Sequence, residues 1–131
     1  MSVPNYMTIS GNLTDDPKVH SFSDGDKVVR IANITVAHTP RYRDARTNEW
    51  RDGKTLFQRA VVRGRLAENV AASLRKGTRV IVAGSVAQDS YISKTTNEKV
   101  TYTEIQVDAI GPDLTYATAV VTTVSKKADE A

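Results

Sequence analysis

The sequence predicts an all-β protein: a five-stranded Greek-key barrel with one short helix between strands 3 and 4 and an extra C-terminal strand. Three observations carry this expectation. Segments that alternate apolar and polar residues recur along most of the chain, separated by Gly, Pro, Asn and Asp clusters, which is the pattern of half-buried strands. Only one stretch repeats its apolar residues every four positions, through Leu66, Val70 and Leu74. That stretch lies directly between two strand-like segments.

In chain order, Met1–Asn5 reads as a loose terminus, and Met7–Leu13 as a first strand with Gly11 as a bend or bulge. Asp15-Asp16-Pro17 marks a turn. Val19–Phe22 continues as strand, and Ser23-Asp24-Gly25-Asp26 is a hairpin signal. Lys27–Ala37 is the longest clear strand, with Val29, Ile31, Asn33 and Thr35 on one face. His38–Gly53 is polar, irregular and rich in Arg.

Thr55–Arg63 is the strand on which the chain turns. Leu56, Gln58, Ala60 and Val62 share one face, small and mostly apolar; Phe57, Arg59, Val61 and Arg63 share the other. The helix then shows an apolar stripe of Leu66, Val70 and Leu74 flanked by Ala67 and Ala71. Arg75 and Lys76 suit the negative end of its dipole, and Gly77 is placed to stop it in a left-handed cap. Val80–Ala83 is a short branched run that reads as a strand buried on both sides and broken at Gly84. Ser85–Ser93 stays extended, Lys94–Lys99 is a polar hairpin tip, and Val100–Ile110 is a strand ended by Gly111-Pro112-Asp113. Leu114–Val124 also has strand composition. The expected organisation is therefore a barrel domain over 1–112, a C-terminal strand over 113–124 and a short disordered tail over 125–131. One helix between the third and fourth of five antiparallel strands matches the OB-fold.

Composition narrows the chemistry. The 131 residues suit one domain. Lys and Arg total 18 against 15 acids, a net charge of +3, which alone supports a nucleic-acid partner only weakly. With no cysteine there is neither a disulfide frame nor a thiolate metal site. His20 and His38 have no metal-ligand neighbours at useful spacing, and neither paired acids nor a Gly-rich phosphate loop occurs, so no enzyme activity and no cofactor are expected. No signal peptide or membrane-length apolar run is visible, and a cytoplasmic, nucleoid-associated protein with no membrane partner is expected.

The segments Gly11-Asn12-Leu13 with Asp16-Pro17, Val29–Val36, Gly64–Glu68 and Leu74–Val80 occur together and in order. In these the chain resembles the bacterial single-stranded DNA-binding protein family, over about Met7–Ile110. The resemblance implies an OB-fold subunit, homodimeric or homotetrameric, that coats single-stranded DNA in replication, recombination or repair. It also implies that bases stack on Tyr42, Phe57 and Tyr91. Where family members usually carry an aromatic residue, this chain has Arg63. The sequence ends Lys126-Lys127-Ala128-Asp129-Glu130-Ala131, without the family's acidic tip, so it resembles a tailless paralogue or a trimmed chain, and recruitment of other replication proteins is not expected. In one branch of the family a strand after the barrel clasps the neighbouring subunit, and Leu114–Val124 could do this.

Single-strand binding needs flat partners for bases and cations for phosphates. The candidate residues are Arg41, Tyr42, Arg43, Arg46, Trp50 and Arg51 in the Arg-rich segment. Phe57, Arg59 and Arg63 on the central strand, and Tyr91 and Lys94 at the tip hairpin, complete the set. Bland readings stand beside these. Phe57 could be core, although Arg59 and Arg63 on its face resist burial. Arg59 could instead pair with Glu104, Tyr91 could pack on the barrel end, and Trp50 could seal its loop. Tyr6, Phe22, Tyr102 and Tyr116 are assigned to core or interface. The alternative functions are an OB-fold protein-interaction module or an RNA-binding module.

Overall fold

The structure, a computed structural model, describes residues 5–124. The expected disordered tail over 125–131 lies outside these residues, as do positions 1–4 of the expected loose terminus. Asn5 itself is tied in, its carbonyl accepting the Val86 N–H at 2.8 Å.

Among the described residues eight strands and one helix follow in order: β1 (Tyr6–Leu13), β2 (Val19–Asp24), β3 (Lys27–His38), β4 (Arg41–Arg43), β5 (Trp50–Asp52), β6 (Leu56–Arg63), α1 (Arg65–Ser73), β7 (Arg79–Ile92) and β8 (Lys99–Pro112). Six of the strands form one sheet in the order β1-β7-β8-β6-β3-β2, and β1 also pairs with β3, which closes it into a barrel. β1 and β2 act as one barrel strand interrupted at the Asp15–Pro17 turn. The first half pairs with β7 and the second with β3. The expected architecture is thus present, with one correction. The strands are not all antiparallel, because β6 and β8 run parallel, with Arg59 opposite Glu104 and Val61 opposite Gln106.

Alternation fixes which side of each strand is core. Ala60 and Val62 from β6 meet Ala32, Ile34 and Val36 from β3, Val80 and Val82 from β7, and Ile105 from β8, all buried. Gln58 lies on this inner face, where its side-chain amide donates to the carbonyls of Arg59 at 3.0 Å and Thr103 at 3.2 Å, so its burial leaves no amide donor unpaired. The helix plugs one end of the barrel with Ala67 and Val70, and Leu74 just past its end is buried with them.

Several local expectations change. The helix stops at Ser73 because Leu74 is already extended. The Arg75 guanidinium donates at 2.9 Å to the carbonyls of Ala71 and Leu74, filling acceptors the last turn leaves open. Gly77 is left-handed, at φ 86, but it serves the following turn rather than a helix cap. Val80–Ala83 is not buried on both sides of the single chain, since Ile81 is 45% exposed. Nor does Gly84 end the strand: β7 passes through it with a shift in register to β8. A β-carbon there would overlap the Gln106 carbonyl, so glycine is what lets the two strands close up at the bend. Leu114–Val124 enters no ladder among the described residues. It leaves β8 through a turn in which Asp113 accepts from Thr115 and from Arg79, and runs on largely exposed.

Candidate nucleic-acid interface

Residues directly opposite in a ladder share a face, so the register maps the outer surface of the barrel. Phe57 lies opposite Ala37, Arg59 opposite Thr35, Val61 opposite Asn33 and Arg63 opposite Ile31. Across the parallel pair, Glu104 and Gln106 join the same face, and Tyr102 lies two residues before Glu104. Asp89 pairs with Tyr102, and Tyr91 with Val100, which brings Tyr91 onto it as well.

Phe57 is 64% exposed and therefore not core. Arg59 and Arg63 are exposed, whereas Val61 between them is covered, flanked by Asn33 and Gln106. Arg59 forms no ion pair with Glu104 among the described residues. Its guanidinium lies over the Tyr102 ring, 4.6 Å from the centroid. Tyr102 in turn sits 6.0 Å from Tyr91 with the rings tilted by 52°. Arg63 donates to the Gln106 side chain at 3.4 Å, and Gln106 donates to Glu104 at 3.0 Å. A cleft of about 310 Å³ opens here between Asn33, Thr35, Arg59, Tyr102 and Glu104. Tyr102, assigned from sequence to core or interface, therefore belongs to the outer face, holding Arg59 and touching Tyr91. The parallel register that places it there has no sequence signature.

The Arg-rich segment is more ordered than its composition suggests. It folds into a ribbon of β4 and β5, with Tyr42 opposite Arg51 and Arg43 opposite Trp50. Three-residue strands are too short for a period of two to show. Tyr42 and Trp50 are 51% and 62% exposed, so Trp50 does not seal the loop. Arg41 lies 5.8 Å from the Trp50 ring centroid and 3.7 Å from Asp52. Arg51 pairs with Asp44 at 2.8 Å, so its charge is partly spent on the ribbon itself. Arg43 and Arg46 of the ribbon and Lys94 of the tip hairpin have no ion pair among the described residues.

The ribbon and the tip hairpin end in the same turn. In Asp44–Glu49 the first N–H reaches the last carbonyl at 2.8 Å, and Asn48 N–H reaches the Asp44 carbonyl at 2.7 Å. In Ser93–Glu98 the corresponding bonds are both 2.8 Å. The first side chain caps the third N–H in each: Asp44 that of Arg46 at 2.9 Å, Ser93 that of Thr95 at 3.3 Å. Asn48 and Asn97, each followed by Glu, take the left-handed position at φ 62 and φ 60. The sequences Asp-Ala-Arg-Thr-Asn-Glu and Ser-Lys-Thr-Thr-Asn-Glu show the likeness once it is known where to look.

Of the other aromatics, Tyr6, Phe22 and Tyr116 are 55%, 50% and 89% exposed, so none is core within the chain. Among the described residues no helix is long and apolar enough to cross a membrane.

An OB barrel whose outer sheet face and two hairpins gather rings and guanidinium groups belongs to the class of scaffold on which unpaired nucleic acid is held. Comparison with known proteins is more specific. A profile described as the Single-strand binding protein family matches residues 4–113. The chain is 50% identical over 121 residues to a single-stranded DNA-binding protein of Paenarthrobacter aurescens, covering 92% of this chain and 68% of that one. It is 48% identical over 126 residues to the single-stranded DNA-binding protein of Mycobacterium bovis, covering 96% and 74%. The crystal structure of a small single-stranded DNA-binding protein from Streptomyces coelicolor matches with a TM-score of 0.67 at 27% identity, over 86% of this chain and 97% of that one. The chain belongs to the single-strand binding protein family, whose members are non-enzymatic DNA-binding proteins.

Proposed function

We propose that the protein binds and protects single-stranded DNA without sequence preference, in replication, recombination or repair, and works in the cytoplasm at the nucleoid. One observation carries the reading: Phe57, Arg59, Arg63, Tyr91 and Tyr102 lie on one continuous outer face. Rings accept any base because every base has a π-face, and guanidinium groups meet phosphate or stack in turn. The ribbon carries further rings and cations next to that surface, with Tyr42 and Arg51 on one of its faces, Arg41, Arg43 and Trp50 on the other, and Arg46 in its turn. Lys94 extends it beyond Tyr91.

The test is titration with oligo(dT) at low salt, following Trp50 emission. Quenching that weakens steeply as salt rises supports the reading. No quenching, or binding indifferent to salt, overturns it. Matched RNA oligomers run alongside decide the sugar preference, which neither stacking nor phosphate contact sets.

The working unit in this proposal is a homodimer or homotetramer. Support comes from Leu114–Val124, a largely exposed segment rich in apolar residues, with Val120 and Val121 95% and 89% exposed, which a neighbouring subunit would cover. Light scattering of the whole chain should give a multiple of the monomer mass, and a chain ending at Pro112 should assemble less stably. A monomer at micromolar concentration contradicts this.

A further inference from the structure

The β2–β3 hairpin carries a ring that the surface described above does not use. Phe22 is paired with Val29, and the next pair along is His20 with Ile31, itself opposite Arg63. By register all five side chains are on the same face as Phe57 and Arg59. Val29 and Ile31 are half-buried, His20 and Arg63 exposed, and Phe22 is 50% exposed. An apolar strip with a flat ring at its outer end thus continues the Arg63 row towards the β2–β3 turn. The one acid on β2 that shares this face, Asp24, lies opposite Lys27, so no unbalanced negative charge closes the strip to phosphate.

We infer that Phe22 is a further base-stacking platform, which carries the single strand from Arg63 out along the β2–β3 hairpin. The inference rests on the proposed function and lengthens its track. β6 offers no ring at this end, because Arg63 is its last residue. Phe22 supplies one from two strands away, with Arg63 placed to meet the intervening phosphate. From Ala37, opposite Phe57, to Val29, opposite Phe22, β3 runs eight residues, about 27 Å at roughly 3.4 Å each. Phe22 is therefore reached only by a strand long enough to cover that distance.

The experiment compares Phe22→Ala with Phe57→Ala and the wild type, on long oligo(dT) and on oligo(dT) too short to span from Phe57 to the turn. Phe22→Ala should bind the long oligomer about 5- to 150-fold more weakly, the fold-change equivalent to loss of one stacked base. It should bind the short one as the wild type does, with unchanged mass by light scattering. A second variant, Phe22→Trp in a Trp50→Phe background, reads the contact directly, and its emission should be quenched by the long oligomer. Wild-type affinity of Phe22→Ala alongside weakened Phe57→Ala, or an unquenched Trp at 22, overturns the inference and leaves the proposed function standing. A fall in assembled mass on Phe22→Ala makes the ring a contact between copies of the chain and also overturns it. Failure of the wild type to bind oligo(dT) at all removes the proposed function, and this inference with it.

Discussion

Replacing Phe57 by alanine separates a binding ring from a structural one. Burying a Phe side chain fully contributes about 1.5–3 kcal/mol. Phe57 is 64% exposed, so only about a third of that, roughly 0.5–1 kcal/mol, is at stake in the fold. Its cross-strand neighbour is the small Ala37, so truncation opens no cavity. The melting temperature should fall by no more than about 3–6 °C. Loss of one stacked base costs about 1–3 kcal/mol, a weakening of roughly 5- to 150-fold. The assay pairs a thermal melt with an oligo(dT) titration read through Trp50. A core Phe would reverse the pattern, with about 3–5 kcal/mol lost from stability and affinity untouched apart from unfolding. Affinity within twofold of wild type in a folded variant refutes the reasoning.

Four further outcomes are expected. Arg46→Ala and Lys94→Ala should each flatten the slope of log K against log salt by about 0.7 if each neutralises one phosphate, and an unchanged slope shows an idle cation. Arg51→Ala should also raise protease sensitivity within 44–52, because Arg51 holds Asp44 at 2.8 Å. Gly84→Ala should destabilise the fold by about 1–3 kcal/mol in denaturant melts, since the new methyl meets the Gln106 backbone carbonyl and no side chain can yield; a neutral effect refutes the close approach. Asp113 is held at about 2, below its ordinary 3.8, by the Thr115 hydroxyl and N–H and then by Arg79. A folded value below the unfolded one means that its contribution is full above 3.8 and is lost as pH falls through about 2. The difference in hydrogen exchange of the Thr115 amide, which Asp113 accepts at 3.0 Å, between wild type and Asp113→Asn should close over that window, and a constant difference refutes the anchor.

What could be read from the sequence follows the range of the physics. Period-two alternation is local, and it placed Phe57, Arg59 and Arg63 outward and Gln58, Ala60 and Val62 inward on β6. Val61 escapes that rule because its cover comes from Asn33 and Gln106 on other strands. Tyr102 escaped for the same reason: only the parallel pairing of β6 with β8 sets it beside Arg59. The run Val80–Ala83 could not be told from a two-sided core strand, because an apolar run is silent about whether its second face is covered. Gly77 is expected as the left-handed cap of the helix; it is left-handed but lies in the turn beyond, since Leu74 is already extended with its side chain buried.

The two matching turns at Asp44–Glu49 and Ser93–Glu98 have a consequence for how such a surface can change. Each is a self-contained clip, closed by its own backbone bonds and a short first side chain, with the intervening positions left over. Those positions, Ala45-Arg46-Thr47 in one and Lys94-Thr95 in the other, can be rewritten without disturbing the barrel. If the hairpins hold the strand as proposed, grip can drift in evolution, or be exchanged by transplanting one clip's middle into the other, while the scaffold beneath stays as it is.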